Sequence, residues 1–161
     1  MLWRLENGEL PDLLQPKVFW ILIGTNDLGN TWCSPDATVL GILRVVEEIR
    51  RRRPGTIIVI NSIMPRSWNK NGFVWKGRRT EKGRFLPELW SSIQNINAHL
   101  EEYSRTRENV EYFDANDVFL QGEDKKLKIE KELMNDYLHP SHVGYKLWGD
   151  LIVKKLGRLI S

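Results

Sequence analysis

Val18-Phe19-Trp20-Ile21-Leu22-Ile23 runs without a polar residue into Gly24-Thr25-Asn26-Asp27. Continuous rather than alternating hydrophobicity predicts a strand covered on both faces, as in a parallel sheet. Residues 56–60 and Val110–Phe113 repeat the pattern. Helix-period segments separate these runs. Ser34-Pro35 is an amino-terminal cap followed by a first-turn proline. It opens a helix reaching about Arg53, with Val39, Leu40, Leu43, Val46 and Ile49 on one face. A second helix is predicted from about Pro87 to Arg105, with Leu89, Ile93, Ile96, Leu100 and Tyr103 inward. The last starts near Ser141 and carries Leu147, Leu151 and Leu159. Strands alternating with helices imply right-handed crossovers and an α/β fold, a three-layer α/β/α sandwich around a parallel sheet. No internal repeat, low-complexity tract or linker breaks the pattern, so a single domain over residues 1–161 is expected. Open α/β sheets build their sites beyond the carboxyl ends of their strands. That rule puts Gly24 to Asp27, Met64-Pro65-Arg66 and the loop with Asp136 and His139 on one rim.

The chain has 161 residues, 41% hydrophobic and 28% charged, with a formal net charge of +3. Such a composition belongs to a globular protein and excludes a disordered one. No apolar run approaches the roughly 20 residues needed to span a bilayer. Met-Leu-Trp-Arg-Leu-Glu at the start does not read as a signal peptide. The single cysteine, Cys33, rules out an internal disulfide framework and fits a reducing, cytoplasmic compartment. Arg50-Arg51-Arg52-Arg53 closes a predicted helix, where cations complement the negative end of the dipole. Seven Lys or Arg residues lie between Arg66 and Arg84, against one acid, Glu81, with Trp68, Phe73 and Trp75 interleaved. Aromatic rings among cations suit nucleic acid in principle. As a loop after the second strand, the segment is read instead as solvated or as a lid beside the cleft, there favouring acidic or phosphate-bearing substrates. Nucleic acid is not the expected partner.

Asp136-Tyr137-Leu138-His139-Pro140 is the chemically richest stretch. An Asp three residues before a His can accept from one ring nitrogen and fix the tautomer, leaving the other nitrogen free for a proton. The bland alternative is an Asx turn closed before Pro140. Asn26 can donate its side-chain amide to a developing oxyanion, or simply hold a strand-end turn. Gly24 is read as allowing close backbone passage, and Asp27 as bracing the loop. His142 and His99 carry no motif. No serine stands in a nucleophile context upstream of these residues. Ser34 is better explained as a helix cap, Cys33 has no neighbouring cation in sequence to activate it, and Ser62 reads as a strand-end hydroxyl. There is no Gly-x-Ser-x-Gly elbow, paired-cysteine zinc pattern or dinucleotide fingerprint, so no metal and no cofactor are expected.

Taken together, these motifs resemble the SGNH (GDSL) hydrolases, a family of ester and lipid hydrolases. Gly24, Asn26 and Asp27 match its Gly-x-Asn-Asp block. Asp136 and His139, followed by Pro140 and Ser141, match its Asp-x-x-His block. Residues 2–10 are similar to the platelet-activating-factor acetylhydrolase catalytic-subunit branch. The likeness follows the whole chain in order and is weakest over residues 66–85. It implies a serine nucleophile with His139 as base, Asp136 orienting it and Asn26 in the oxyanion hole. It also implies an SGNH/flavodoxin-like sheet and a small-molecule, lipid or carbohydrate ester as substrate. In that family a Gly-Asp-Ser block and a second, glycine-containing oxyanion block precede the Leu-Trp-Arg-Leu segment, which here follows Met1 directly. The expectation is therefore the carboxyl-terminal part of such a hydrolase, with amino-terminal strands and nucleophile missing. The alternative is a pseudoenzyme or binding module that keeps the cleft. An uncovered first strand would leave a sheet edge open to self-association.

Overall fold

The computed structural model describes residues 1–161. The chain forms two compact units, one of residues 1–62 and 96–113, the other of residues 63–95 and 114–161.

The first unit holds a three-stranded parallel sheet. Its strands are β1 (Val18–Ile21), β2 (Ile57–Asn61) and β5 (Val110–Phe113), in the order β1-β2-β5. Val18 pairs with Ile57, and Ile58 with Val110. Central β2 is the most buried, as its Ile-Ile-Val-Ile sequence requires: Ile58, Val59 and Ile60 are sealed from solvent. β1 lies at the edge. Trp20 from β1 meets Phe113 from β5 edge-on at 4.9 Å and donates its indole N–H to Asn61 Oδ1 at 3.1 Å.

Helices flank the sheet. A short α1 (Leu2–Arg4) and a distorted turn (Leu5–Glu9) precede β1, and α2 (Thr25–Gly29) follows it. α3 (Pro35–Arg52) joins β1 to β2, and α4 (Trp90–Arg105) leads into β5. Ser34 caps α3 as its sequence demands, its Oγ accepting from the Ala37 N–H at 3.2 Å. The helix ends where Arg53, non-helical, precedes Pro54. Its core face differs from the expected one. Val39, Val46 and Ile49 are buried, but Leu40 is exposed, and Ile42 and Val45 fill the core instead. Both crossovers step the same way across the sheet, so right-handed connections set α3 beside the last turns of α4. There the Tyr103 hydroxyl donates to Glu47 of α3. That bond, helped by Arg50, holds the Glu47 carboxyl below its usual range, while burial and Glu47 push the Tyr103 phenol up.

The four arginines that close α3 divide their work. Arg50 and Arg51 pair with Glu47 and Glu48 on their own helix. Arg52 donates to the Leu5 carbonyl. Arg53, only 6% exposed, donates to the carbonyls of Leu14 and Arg52 at 2.7 Å, Pro11 at 2.5 Å and Leu10 at 3.4 Å. The cluster is structural, as expected from the helix dipole, and it additionally ties the segment before β1 to the end of α3.

The second unit contains two small antiparallel pairs. One is β3 (Arg78–Arg79) with β4 (Phe85–Leu86); the other is β6 (Leu120–Gln121) with β7 (Lys128–Ile129). α5 (Asn116–Phe119) precedes β6, and α6 (His142–Leu159) ends the chain. Met134, Phe119, Ile129 and Val74 form its interior. On α6, Leu147 and Leu151 are exposed along with Tyr145 and Val153. No helix is long and apolar enough to cross a membrane.

Candidate active site

Asp136 and His139 meet in the second unit. The His139 Nδ1 lies 2.7 Å from Asp136 Oδ2. Asp136 Oδ1 accepts the backbone N–H groups of Leu138 at 3.0 Å and His139 at 2.7 Å. The Asx turn and the His-orienting contact are therefore one structure, not rival explanations. One carboxylate oxygen shapes the loop while the other fixes the imidazole. Partial desolvation would raise the Asp136 carboxyl, but the bonds from the His139 ring and the two backbone N–H groups outweigh it and lower the pKa to about 2. Asp136 thus remains a carboxylate at every pH where an imidazole can act as base. As an acceptor it selects the tautomer with hydrogen on Nδ1, leaving the Nε2 lone pair for a proton. The two side chains are 55% and 72% exposed, open to an incoming group.

The loop is held from behind. Tyr137 adopts a left-handed conformation, φ 59°, unusual for a residue with a side chain. Its carbonyl accepts the Ser67 N–H at 2.9 Å, and its ring packs on Gly72. A Cβ at position 72 would stand 2.7 Å from that ring, and φ there is +76°, so glycine alone fits. Beyond His139, Ser141 caps α6 by accepting the Gly144 N–H at 3.1 Å, and its hydroxyl donates to the Glu132 carbonyl at 2.6 Å. Gly144 crosses so close to the Leu133 carbonyl that any side chain would collide with it. Strain at Tyr137 is thereby over-determined by its neighbours, the condition under which functional loops retain it.

Asn26 lies in the first unit, in the first turn of α2. Gly24 precedes it at φ 109°, a conformation glycine reaches without the steric cost a side chain would add. The Asn26 Oδ1 accepts from the Asn30 side chain at 3.3 Å, which orients the amide and leaves its N–H₂ unengaged. Asp27 braces the loop through its carbonyl, which accepts from the Thr31 hydroxyl and the Cys33 N–H. A cavity of about 510 Å³ in this unit is lined by residues 22–27 with Leu2, Thr38 and Ile42.

Sequence reading missed three supports: Asn30, Gly72 and Gly144. The Asn26–Asn30 spacing of one helical turn was a usable signal. The glycines act through long-range contacts that leave no local mark. No group of three or more His, Cys, Asp or Glu is placed to hold a metal ion.

The pattern of the GDSL-like lipase/acylhydrolase family matches residues 2–147. Platelet-activating factor acetylhydrolase IB subunit alpha1 of Homo sapiens is 31% identical over 145 residues, covering 90% of this chain and 53% of that protein. The subunit beta homolog of Drosophila melanogaster is 38% identical over 71 residues, covering 44% of this chain and 30% of its own length. Among solved structures, a GDSL-like lipase from Bacteroides thetaiotaomicron superposes with a TM-score of 0.70 at 21% identity, covering 90% of this chain and 64% of that one. A carbohydrate esterase family 3 enzyme from Talaromyces cellulolyticus gives 0.63 at 16%, covering 97% and 61%. These structures share the α/β fold, and the chain spans about half the length of the curated relatives it matches. By the match along nearly all its residues, this chain belongs to the GDSL-like lipase/acylhydrolase family.

Proposed function

We propose that residues 1–161 form one catalytic domain's acid–base part, serving a serine hydrolase of carboxylic esters. The observation that carries this reading is the 2.7 Å contact of His139 Nδ1 with Asp136, with Nε2 left unengaged. In the reaction, a serine hydroxyl attacks the ester carbonyl while His139 Nε2 takes its proton, and Asp136 stabilises the imidazolium. The Asn26 amide donates to the oxyanion. Collapse expels the alcohol, which receives the proton from His139, and water releases the acyl group by the same path in reverse. The serine comes from outside residues 1–161. They contain no Gly-Asp-Ser, and Ser34 and Ser141 are engaged as helix caps. The names of relatives, an acetylhydrolase and a carbohydrate esterase, favour short acyl esters of lipids or sugars. A cytoplasmic setting agrees with the single exposed Cys33. The second reading, a binding module without turnover, draws on the same engagement of the serines.

The reading requires Asn26 and His139 to face one carbonyl. A nitroxide attached to Asn26→Cys, in a Cys33→Ser background, is expected to broaden the His139 ring protons beyond detection by NMR. Sharp His139 signals would separate the two residues and remove Asn26 from the site.

The sheet edge is the other part of the proposal. β1 pairs only with β2 and carries no charge or proline in Val18–Ile21, so its outer backbone groups are a template for another strand. Self-association through this edge is expected on sedimentation of the purified chain, and relief when a further strand is supplied beside β1. A stable monomer with a cooperative thermal transition would contradict it.

A further inference from the structure

Four cations at the β3–β4 hairpin have no carboxylate partner, although Arg79 donates to the Gly83 carbonyl at 3.2 Å. Lys76, Arg78, Arg79 and Lys82 take part in no ion pair; the molecule's ion pairs lie at Arg4–Glu9 and along or beside α3, α4 and α6. Glu81 is the one acid among residues 76–86. Residues directly opposite on an antiparallel pair share a face. The register sets Arg79 opposite Phe85, so a cation and an aromatic ring stand side by side. Phe85 is 57% exposed, with the Arg79 guanidinium 6.0 Å from its ring centre. Lys76 lies 4.2 Å over Phe73. The turn is fixed by bonds from the Gly83 N–H to Thr80 and from the Thr80 N–H to Arg84, at 2.9 and 2.8 Å. An open concavity of about 460 Å³ is lined by Arg78, Thr80, Glu81, Lys82 and Arg84.

An exposed aromatic ring beside one long cation, on a hairpin rich in others, is the composition of an interfacial anchor. The ring enters the boundary of headgroups and acyl chains, while the cation stems lie along it and place their charges at phosphates. Single-stranded nucleic acid instead tracks a groove and stacks its bases on exposed ring faces. Here residues 81–85 form a fully exposed tip, and the Phe85 ring is already flanked by Arg79 and by Gly77. We propose that the β3–β4 hairpin is a docking surface for an anionic phospholipid bilayer, with Phe85 entering the interface and Lys76, Arg79 and Lys82 meeting headgroup phosphates. This inference stands independently of the ester-hydrolase reading.

Co-sedimentation of the full chain with vesicles tests it. Partition into phosphatidylcholine vesicles containing phosphatidylglycerol is expected to exceed that into pure phosphatidylcholine by more than tenfold. Each neutralised cation should cost about fivefold, so Arg79→Gln with Lys82→Gln loses roughly 25-fold. Phe85→Ser should lose roughly fivefold and keep the preference for the anionic lipid. Lys131→Gln with Lys154→Gln, an equal change of charge at exposed positions elsewhere, should stay within about twofold of the parent. Equal partition into both vesicles overturns the proposal, as does an equal loss in the control pair. Tighter binding of a single-stranded oligonucleotide than of anionic vesicles, lost in the same hairpin variant, would overturn it in favour of nucleic acid.

Discussion

Purified as residues 1–161, the protein is expected to hydrolyse p-nitrophenyl acetate no faster than buffer. On the proposed reading, His139 oriented by Asp136 has no serine to activate within residues 1–161. Elsewhere, a hydrolase stripped of its serine falls by about 10⁶ in turnover, and what remains comes from the oxyanion hole and substrate binding. Only one donor of such a hole, Asn26, is proposed here. Three of its serines are otherwise employed: Ser34 and Ser141 cap helices, and Ser67 donates to the Phe73 carbonyl at 2.8 Å. Cys33 is exposed, within 3.3 Å of the Thr31 hydroxyl. Robust turnover that vanishes in His139→Ala would mean that one of these groups is the nucleophile after all. Turnover lost in Cys33→Ser or Ser34→Ala would say which.

The largest effect on stability should come from Arg53→Met. The buried guanidinium serves the carbonyls of Leu10, Pro11 and Leu14, which lie about forty residues away in sequence and outside any helix or sheet, Pro11 alone also accepting the Leu14 N–H at 2.9 Å. A hydrogen bond from a charged donor is worth about 1.5–3 kcal/mol. Rehydration of the freed loop returns part of the sum, leaving a loss of about 3 kcal/mol. For a chain of this size that lowers the melting temperature by roughly 6–12 °C. Arg53→Lys should fall between, because one ammonium cannot reproduce the planar fork. Arg51→Met is the internal comparison: its side chain is 68% exposed and its ion pair solvent-screened, so the melting temperature should barely move. Thermal unfolding followed by circular dichroism separates the two. An Arg53→Met melt matching that of Arg51→Met would mean that the four contacts contribute nothing net.

Elements that follow from local chemistry were legible in the sequence; those set by distant contacts were not. β5 was bounded correctly as Val110–Phe113, and β1 and β2 within two residues, because sealed strands need unbroken apolar runs. Ser34-Pro35 announced α3. Its buried face was less determinate. Val39, Leu40, Ile42, Leu43, Val45, Val46 and Ile49 wrap more than half the helix, so apolar spacing alone does not choose between Leu40 and Ile42. The β3–β4 hairpin was invisible, since two residues per strand carry no periodicity. The Asp136–His139 contact was legible because both partners sit on one short loop. The tying role of Arg53 was not: its acceptors lie before β1, beyond the reach of any helical repeat.

The central claim is that Asn26, Asp136 and His139 are competent to cleave an ester once a serine is supplied. It is tested most directly by joining an amino-terminal segment that carries a Gly-Asp-Ser block to this chain ahead of Leu2 and measuring ester turnover. The joined protein is expected to hydrolyse p-nitrophenyl acetate, with His139→Ala lowering kcat by about 10⁴ or more and Asn26→Ala by about 10²–10³. A joined protein that turns over ester equally well with His139→Ala would contradict it.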